Sequence, residues 1–271
     1  MGAAPDYPLL AAEVLGIRNA PADLARRLVS QALVVEDRRE AWQRAGERIC
    51  AAAPTGLGVY VLRDDEGHVL YVGKAIDLRR RLRTHFAVRR WRGLKAPLAR
   101  VAEAEWEQVG SELEALLREA VLISQLQPVV NVQIGPPQPR GRTIPTSLVK
   151  NVVIVLPSVN PDSAEIVAAH VDGRWRLTRM PRSGKGALRH ARALMRFFRQ
   201  VAGAAPCPPD ADAPIGVRLR LAPLAFSWLA VRGQRASRLD PDDCATATIL
   251  AERFRRLLAD TGLFTERLDV R

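Results

Sequence analysis

Two of the chain's three tyrosines stand in one short frame, Gly58-Val59-Tyr60, ten intervening residues, then Tyr71-Val72-Gly73. Lys74 follows at once, one of four lysines against thirty-seven arginines. A phenol can move a proton and an ammonium supplies fixed positive charge, so the frame groups side chains suited to an anionic substrate. Downstream, Arg79, Arg80, Arg81 and Arg83 crowd one short segment that ends in His85. Like charge at that density costs stability unless an anion is nearby. A guanidinium such as that of Arg81 can hold a phosphate through two hydrogen bonds. His85, without a charge partner in this arginine-rich segment, reads on its own as a structural histidine near a helix end.

The elements that position these residues follow from local pattern. Val59 to Leu62 and Val69 to Val72 are β-prone runs, and Arg63 to His68 between them reads as a polar hairpin loop. Gly58 and Gly73 fall near strand ends, where a missing side chain lets a ligand or backbone come close. Asp77 is placed to cap a helix whose buried stripe is Leu78, Leu82 and Phe86. Ser111-Glu112-Leu113-Glu114 is a capping box opening a second helix that runs to about Leu126. Glu112 and Glu114 sit in its first turn, where acidic residues favour the helix dipole, and that position accounts for them.

The frame resembles the signature of the GIY-YIG nucleases, with valine for isoleucine in both triplets. Gly73, Lys74, Ala75, Leu78 and Arg81 match the Gly-Lys-Ala-x-x-Leu-x-x-Arg helix that follows it, and His85 matches a position where many members carry histidine. Glu114-Ala115-Leu116-Leu117-Arg118-Glu119 is similar to the UvrC-type segment carrying the metal-binding glutamate, which makes Glu119 that residue. Gln127-Pro128-Val129-Val130-Asn131 matches the Pro-x-x-Asn that closes the domain. Leu57 stands where UvrC relatives have proline, and Val130 where they often have an aromatic. The resemblance covers residues 56 to about 135. It implies an α+β fold for that segment: a three-stranded antiparallel sheet flanked by helices.

The resemblance also implies a chemistry. Hydrolysis of a phosphodiester needs an activated water, neutralised charge on phosphate and help for the departing 3′ oxygen. Glu119 is then the carboxylate of one Mg²⁺ (or Mn²⁺) ion. Lys74 and Arg81 supply positive charge, and a tyrosine acts as general base, with Tyr71 favoured and Tyr60 positioning the water. His85 and Asn131 complete the implied catalytic set. The products are a 5′-phosphate and a 3′-hydroxyl. Gly73, Arg79, Arg80, Arg83, Arg89, Arg90, Arg92 and Lys95 are the expected DNA contacts, and the aromatic Trp91 between them suits either stacking on a base or packing.

Composition fits a polyanionic partner: Lys+Arg 41 against Asp+Glu 29 leaves a net charge of +12. The three cysteines, Cys50, Cys207 and Cys244, form neither a CxxC nor a metal spacing, so reduced thiols and a cytoplasmic location are expected. No apolar run reaches membrane-spanning length, and the N-terminus has no signal-peptide layout.

The expected organisation is a helical N-terminal extension (1–52), the nuclease domain (53–135), a Pro/Gly-rich linker (136–146) and a C-terminal α+β domain (147–271). Helices are expected at Leu9–Leu15, Pro21–Leu33 and Glu36–Ala51. In the C-terminal part, strands are expected at Val152–Leu156, Ala164–His170, Trp175–Thr178, Val217–Leu221 and Phe226–Val231. Helices are expected at Lys185–Val201 and after Asp243 to about Leu258. Arg189, Arg192, Arg196 and Arg199 line one stripe of the first of these, which suits either a solvated face or a DNA-backbone contact.

UvrC proteins carry a second nuclease domain that a chain of this length does not accommodate, so the resemblance is closest to stand-alone, Cho-like excision nucleases, with excision-repair proteins as expected partners. The cysteine cluster of the Cho protein is missing. Two other readings stand beside it: a mobile-element or restriction-type GIY-YIG endonuclease, and a non-catalytic DNA-binding protein on the same fold.

Overall fold

The structure, a computed structural model, describes residues 5–87, 96–134, 144–199, 219–233 and 235–260. It opens with three helices, α1 (Tyr7–Val14), α2 (Ala22–Asp37) and α3 (Arg39–Ala52). α1 and α2 pack on each other around Ala11, Ala25 and Val29. α3 does something different. Its Trp42, Ala45 and Ile49 enter the core of the first sheet, alongside Tyr60, Leu62 and Leu70. Gly46 makes room there, since a Cβ would lie 2.6 Å from the Phe86 ring.

That sheet has three antiparallel strands in the order β2-β1-β3: β1 (Gly58–Arg63), β2 (Val69–Ala75) and β3 (Glu103–Gln108). Val59 and Val61 of β1 point to one face, and Tyr60 and Leu62 to the other. Strand alternation would place Leu70 on the face of Val72, but the β1–β2 register shifts between Leu62 and Arg63. The shift puts Leu70 beside Tyr71 on the Tyr60 face. The Tyr60 face is covered by α3 and α4 (Leu78–His85), which buries Leu78 and Leu82 as expected. The opposite face is covered by α5 (Glu112–Leu126), through Ala115 and Ile123. α6 (Val129–Ile134) follows a left-handed turn at Gln127.

A second sheet is antiparallel in the order β6-β5-β4-β7: β4 (Val152–Pro157), β5 (Ser163–Ala169), β6 (Trp175–Pro181) and β7 (Ser237–Leu239). α7 (Ala187–Arg199) and α9 (Ala247–Ala259) lie on one face, packed on Val153, Val155, Ile166 and Ala168. The other face, Val152, Ile154, Leu156 and Val167, meets α8 (Ala222–Val231) and also Leu113, Leu117 and Ala120 of α5. α5 is therefore packed between the two sheets. Gly110, just before it, approaches the second sheet so closely that a Cβ would lie 2.2 Å from the Pro157 carbonyl oxygen.

One expectation is overturned: Phe226–Val231 is helix, not strand. The segment buries Ala222, Leu224, Ala225, Phe226, Trp228 and Leu229 on all sides, so no polar stripe reveals its period. Of the strand expected at Val217–Leu221, the first two residues lie outside the described residues and the rest is not strand. No helix of the described residues is long and apolar enough to cross a membrane.

Candidate active site

Antiparallel pairing places Tyr60 opposite Gly73, and the diagonal Tyr71 falls on the same face. The two rings lie 6.0 Å apart between centroids. Gly73 is what allows this. A Cβ there would sit 2.6 Å from the Tyr60 hydroxyl and 2.8 Å from the Tyr71 ring. Gly73, expected at the DNA, is buried beneath the two phenols and serves as their spacer.

α4 brings the next two groups. Asp77 caps it, accepting from the Arg80 amide at 2.8 Å, and Leu78 and Leu82 fix its buried side. Arg81 and His85, one turn apart, then fall on the side facing the phenols. Arg81 Nε donates to the Tyr60 hydroxyl at 3.4 Å, and Tyr71 lies within the electrostatic reach of the same guanidinium. His85 Nε2 lies 2.7 Å from the same Tyr60 oxygen, with its ring against both tyrosines. His85 has a partner after all, and it is a phenol. Since Arg81 can only donate, the Tyr60 hydroxyl accepts from it and is free to donate its own hydrogen bond to His85 Nε2. Tyr60 is fully buried, and that burial drives its pKa well above the ordinary tyrosine value, reinforced by the neighbouring Tyr71 and opposed by Arg81. Tyr71 is only half-buried.

The carboxylate arrives from α5. β2 is an edge strand, and its outward amides at Val72 and Lys74 need partners. Glu119 Oε1 accepts from the Lys74 amide at 3.0 Å. Asn131 takes Val72 from both sides, with Oδ1 accepting from its N–H at 2.8 Å and Nδ2 donating to its carbonyl at 3.0 Å. Asn131 thus acts on the strand carrying the site, with both polar atoms of its amide engaged there. Burial pushes the Glu119 carboxyl above its ordinary range, and the Lys74 and Arg81 charges act against that. Glu119, Arg81 and both phenols accordingly share one electrostatic environment.

Glu119 Oε2 has no hydrogen-bond partner among the described residues, and it is not among the side-chain atoms sealed from solvent without one. One free, solvent-reaching carboxylate oxygen fits a Mg²⁺-type ion, which takes one or two carboxylates and keeps its waters. Among the described residues, the cluster with three ligand-type side chains is Asp64, Glu66 and His68. It lies in the β1–β2 turn, at the far end of β2 from Lys74. There the Asp64 carboxylate is spent on the amides of Glu66 and His68 and on the Arg100 guanidinium.

The Lys74 ammonium is directed elsewhere than its amide. Nζ lies 3.6 Å from Glu112 Oε1, and Arg232 of the segment after α8 donates to that same oxygen at 2.7 Å. Glu114 is likewise more than a dipole partner: its buried carboxylate accepts from the Gly110 amide and Arg118, and burial raises its pKa. The first-turn explanation of these two glutamates is therefore corrected. The signal for Glu112 was present, because it precedes Glu119 by seven residues, two helical turns, on the same side of α5. No local signal marks Arg232.

The expected DNA contacts divide. Arg80 and Arg83 are exposed. Arg79 is committed to the fold, donating from Nε to the Ala53 carbonyl that ends α3. Arg89, Arg90, Trp91, Arg92 and Lys95 lie outside the described residues.

Comparison with known proteins matches residues 56–132 to the UvrC-like GIY-YIG domain. The UvrABC system protein C of Trichlorobacter lovleyi is 43% identical over 82 residues, 30% of this chain and 14% of that protein. The one from Moorella thermoacetica is 38% identical over 88 residues, 32% of this chain and 14% of that protein. The chain thus matches about one-seventh of the length of these relatives. Among solved structures, the N-terminal GIY-YIG endonuclease domain of Thermotoga maritima UvrC, bound to its catalytic magnesium, is 30% identical. It aligns to 32% of this chain and 94% of that one, with a TM-score of 0.28.

Proposed function

We propose that the chain, whose residues 56–132 match the UvrC-like GIY-YIG domain, is a Mg²⁺-dependent DNA endonuclease of the excision-repair type. It would make a nick that leaves a 5′-phosphate and a 3′-hydroxyl. The observation that carries this reading is the meeting of Glu119 with the Lys74 amide beside Arg81 and two phenols. A binding module has no use for a half-buried carboxylate whose free oxygen faces a phosphate, which would repel it.

Glu119 would hold the ion; when bound, it supplies charge stabilisation on the phosphate and the departing oxygen. Arg81 neutralises the phosphate by a charge-assisted hydrogen bond while it aligns both phenols. Tyr71, on the half-open side, is the general base toward the attacking water. Tyr60, held protonated by burial, orients that water while its hydroxyl stays hydrogen-bonded to His85. The new P–O bond forms as the P–O3′ bond breaks, and the 3′ oxygen is protonated from solvent. DNA, excision-repair proteins and a cytoplasmic setting follow from the same reading, supported by relatives named as components of the UvrABC system.

The test is nicking of supercoiled plasmid with Mg²⁺ or Mn²⁺, with EDTA as control. Wild type should nick in the metal and stop in EDTA, while Glu119→Gln should bind DNA and leave it intact. Equal nicking by the variant would remove the metal assignment. A substrate screen comparing adducted with undamaged duplex then separates repair from a restriction-type enzyme, which would cut one fixed sequence.

A further inference from the structure

We propose that the outer face of α7 and α9 is a second nucleic-acid-binding surface, one that grips the phosphate backbone of duplex DNA away from the cleavage site. The choice of DNA rests on the endonuclease reading. Arg189, Arg192, Arg196 and Arg199 follow at i, i+3, i+7 and i+10, so they form one row about 15 Å long. The opposite side of α7 buries Ala187, Ala191, Leu194 and Met195 against the second sheet. All four arginines are exposed, and no carboxylate of the described residues pairs with them.

That last point separates this row from the other guanidiniums. Arg63, Arg100, Arg118, Arg179 and Arg232 each sit on a carboxylate. On α7 the row lacks such a partner among the described residues, and its like charges repel one another at i,i+3 and i,i+4 spacing. α9 packs on the same face of the sheet and adds exposed Arg255 and Arg256, with Arg255 lying over Gly184 at the start of α7. Glu252 is the sole acidic residue in the two helices.

The chemistry of the face selects its partner. Protein interfaces centre on buried apolar or aromatic anchors. Here Ile249, at the beginning of α9, is the one large apolar side chain that the two helices expose. A straight cationic row without an apolar centre suits a polyanion carrying one charge per about 1.7 Å of axis. It also suits Arg-phosphate pairing, which fixes position without reading sequence.

The experiment uses the full chain with Glu119→Gln, so that DNA is not consumed, and fluorescence anisotropy of a labelled 30-base-pair duplex across salt concentrations. Replacing Arg189, Arg192, Arg196 and Arg199 by glutamine should flatten the slope of log K against log salt. The loss is about 0.9 for each phosphate contact removed. The four Arg→Lys replacements should restore it, because they keep the charge. An unchanged slope in the glutamine variant, with its circular dichroism and Tm preserved, overturns the proposal. Displacement of the duplex by polyglutamate as readily as by unlabelled DNA also overturns it, since the face would then fit an acidic protein. Nicking by the chain with Glu119 intact is scored separately. Loss of nicking with a flattened slope defeats the catalytic reading alone; Glu119-dependent nicking with an unchanged slope defeats the surface alone.

Discussion

Lys74 and Arg232 meet on a single carboxylate oxygen: Glu112 Oε1 lies 3.6 Å from the lysine Nζ and 2.7 Å from the arginine Nη1. One cation belongs to the strand that bears Tyr71, the other to a segment 158 positions later. The Glu112 side chain is only 10% exposed, so the three groups form a partly dehydrated junction between the two sheets. In this arrangement Glu112 competes with phosphate for the Lys74 ammonium. Glu112→Gln, which preserves shape, should therefore release the lysine and add one phosphate contact. The salt slope of DNA binding should steepen by about 0.9, read by anisotropy. Arg232→Ala should do the opposite, since the freed carboxylate then holds Lys74 alone.

The two tyrosines should fail differently. Tyr71→Phe removes the base and should slow nicking by about 10²–10⁴-fold with DNA affinity kept. Tyr60→Phe leaves Arg81 and His85 without their shared oxygen. It should cost about 0.5–1.5 kcal/mol of stability by urea unfolding, together with a smaller loss of rate. Equal rate losses in the two variants would undo the division of roles.

Asn131 is the bolt on the free edge of β2. Asn131→Ala leaves the Val72 N–H and C=O without partners in a buried position. The cost should be about 1–3 kcal/mol. Hydrogen exchange should accelerate at Val72 and Lys74 before it does in β1, and nicking should fall because Glu119 loses a fixed place to bind.

The β1–β2 turn should contribute to acid sensitivity. Burial pushes the Asp64 carboxyl up, but the amides of His68 and Glu66 and the Arg100 charge outweigh it and hold the group below the usual range. A depressed folded value means the stabilisation is fully present above the unfolded value, about 3.9. It is lost as pH falls through the folded one. Asp64→Asn should thus lower Tm at pH 7, yet flatten the further decline in Tm below pH 5.

Much of the site was legible because its spacing is local. The tyrosine–glycine triplets predict the hairpin, Asp77 predicts the helix start, and Ser111 predicts the start of the helix that delivers Glu119. The helix N-terminal to the sheet is legible as an element, but its pattern suits packing on the sheet and holding DNA equally, and only the contact of Trp42 and Ile49 with Tyr60 makes it core. β3 was implied by resemblance without being located: Glu103, Glu105 and Glu107 alternate on its exposed side and hide it among charged loop residues. α8 was misread because an apolar segment buried all round carries no period. Arg232 was beyond reach because no sequence rule joins it to Glu112.

α5 presents leucines to one sheet and the Glu119 carboxylate to the other, with Leu113 and Leu117 fully covered by β4, β5 and α8. A fragment trimmed to residues 53–135 would leave that greasy strip wet, inviting self-association. In this chain the first sheet and its C-terminal neighbour are thus halves of one solubility problem, and a substitution deep in β4 can displace the Glu119 carboxylate it never touches.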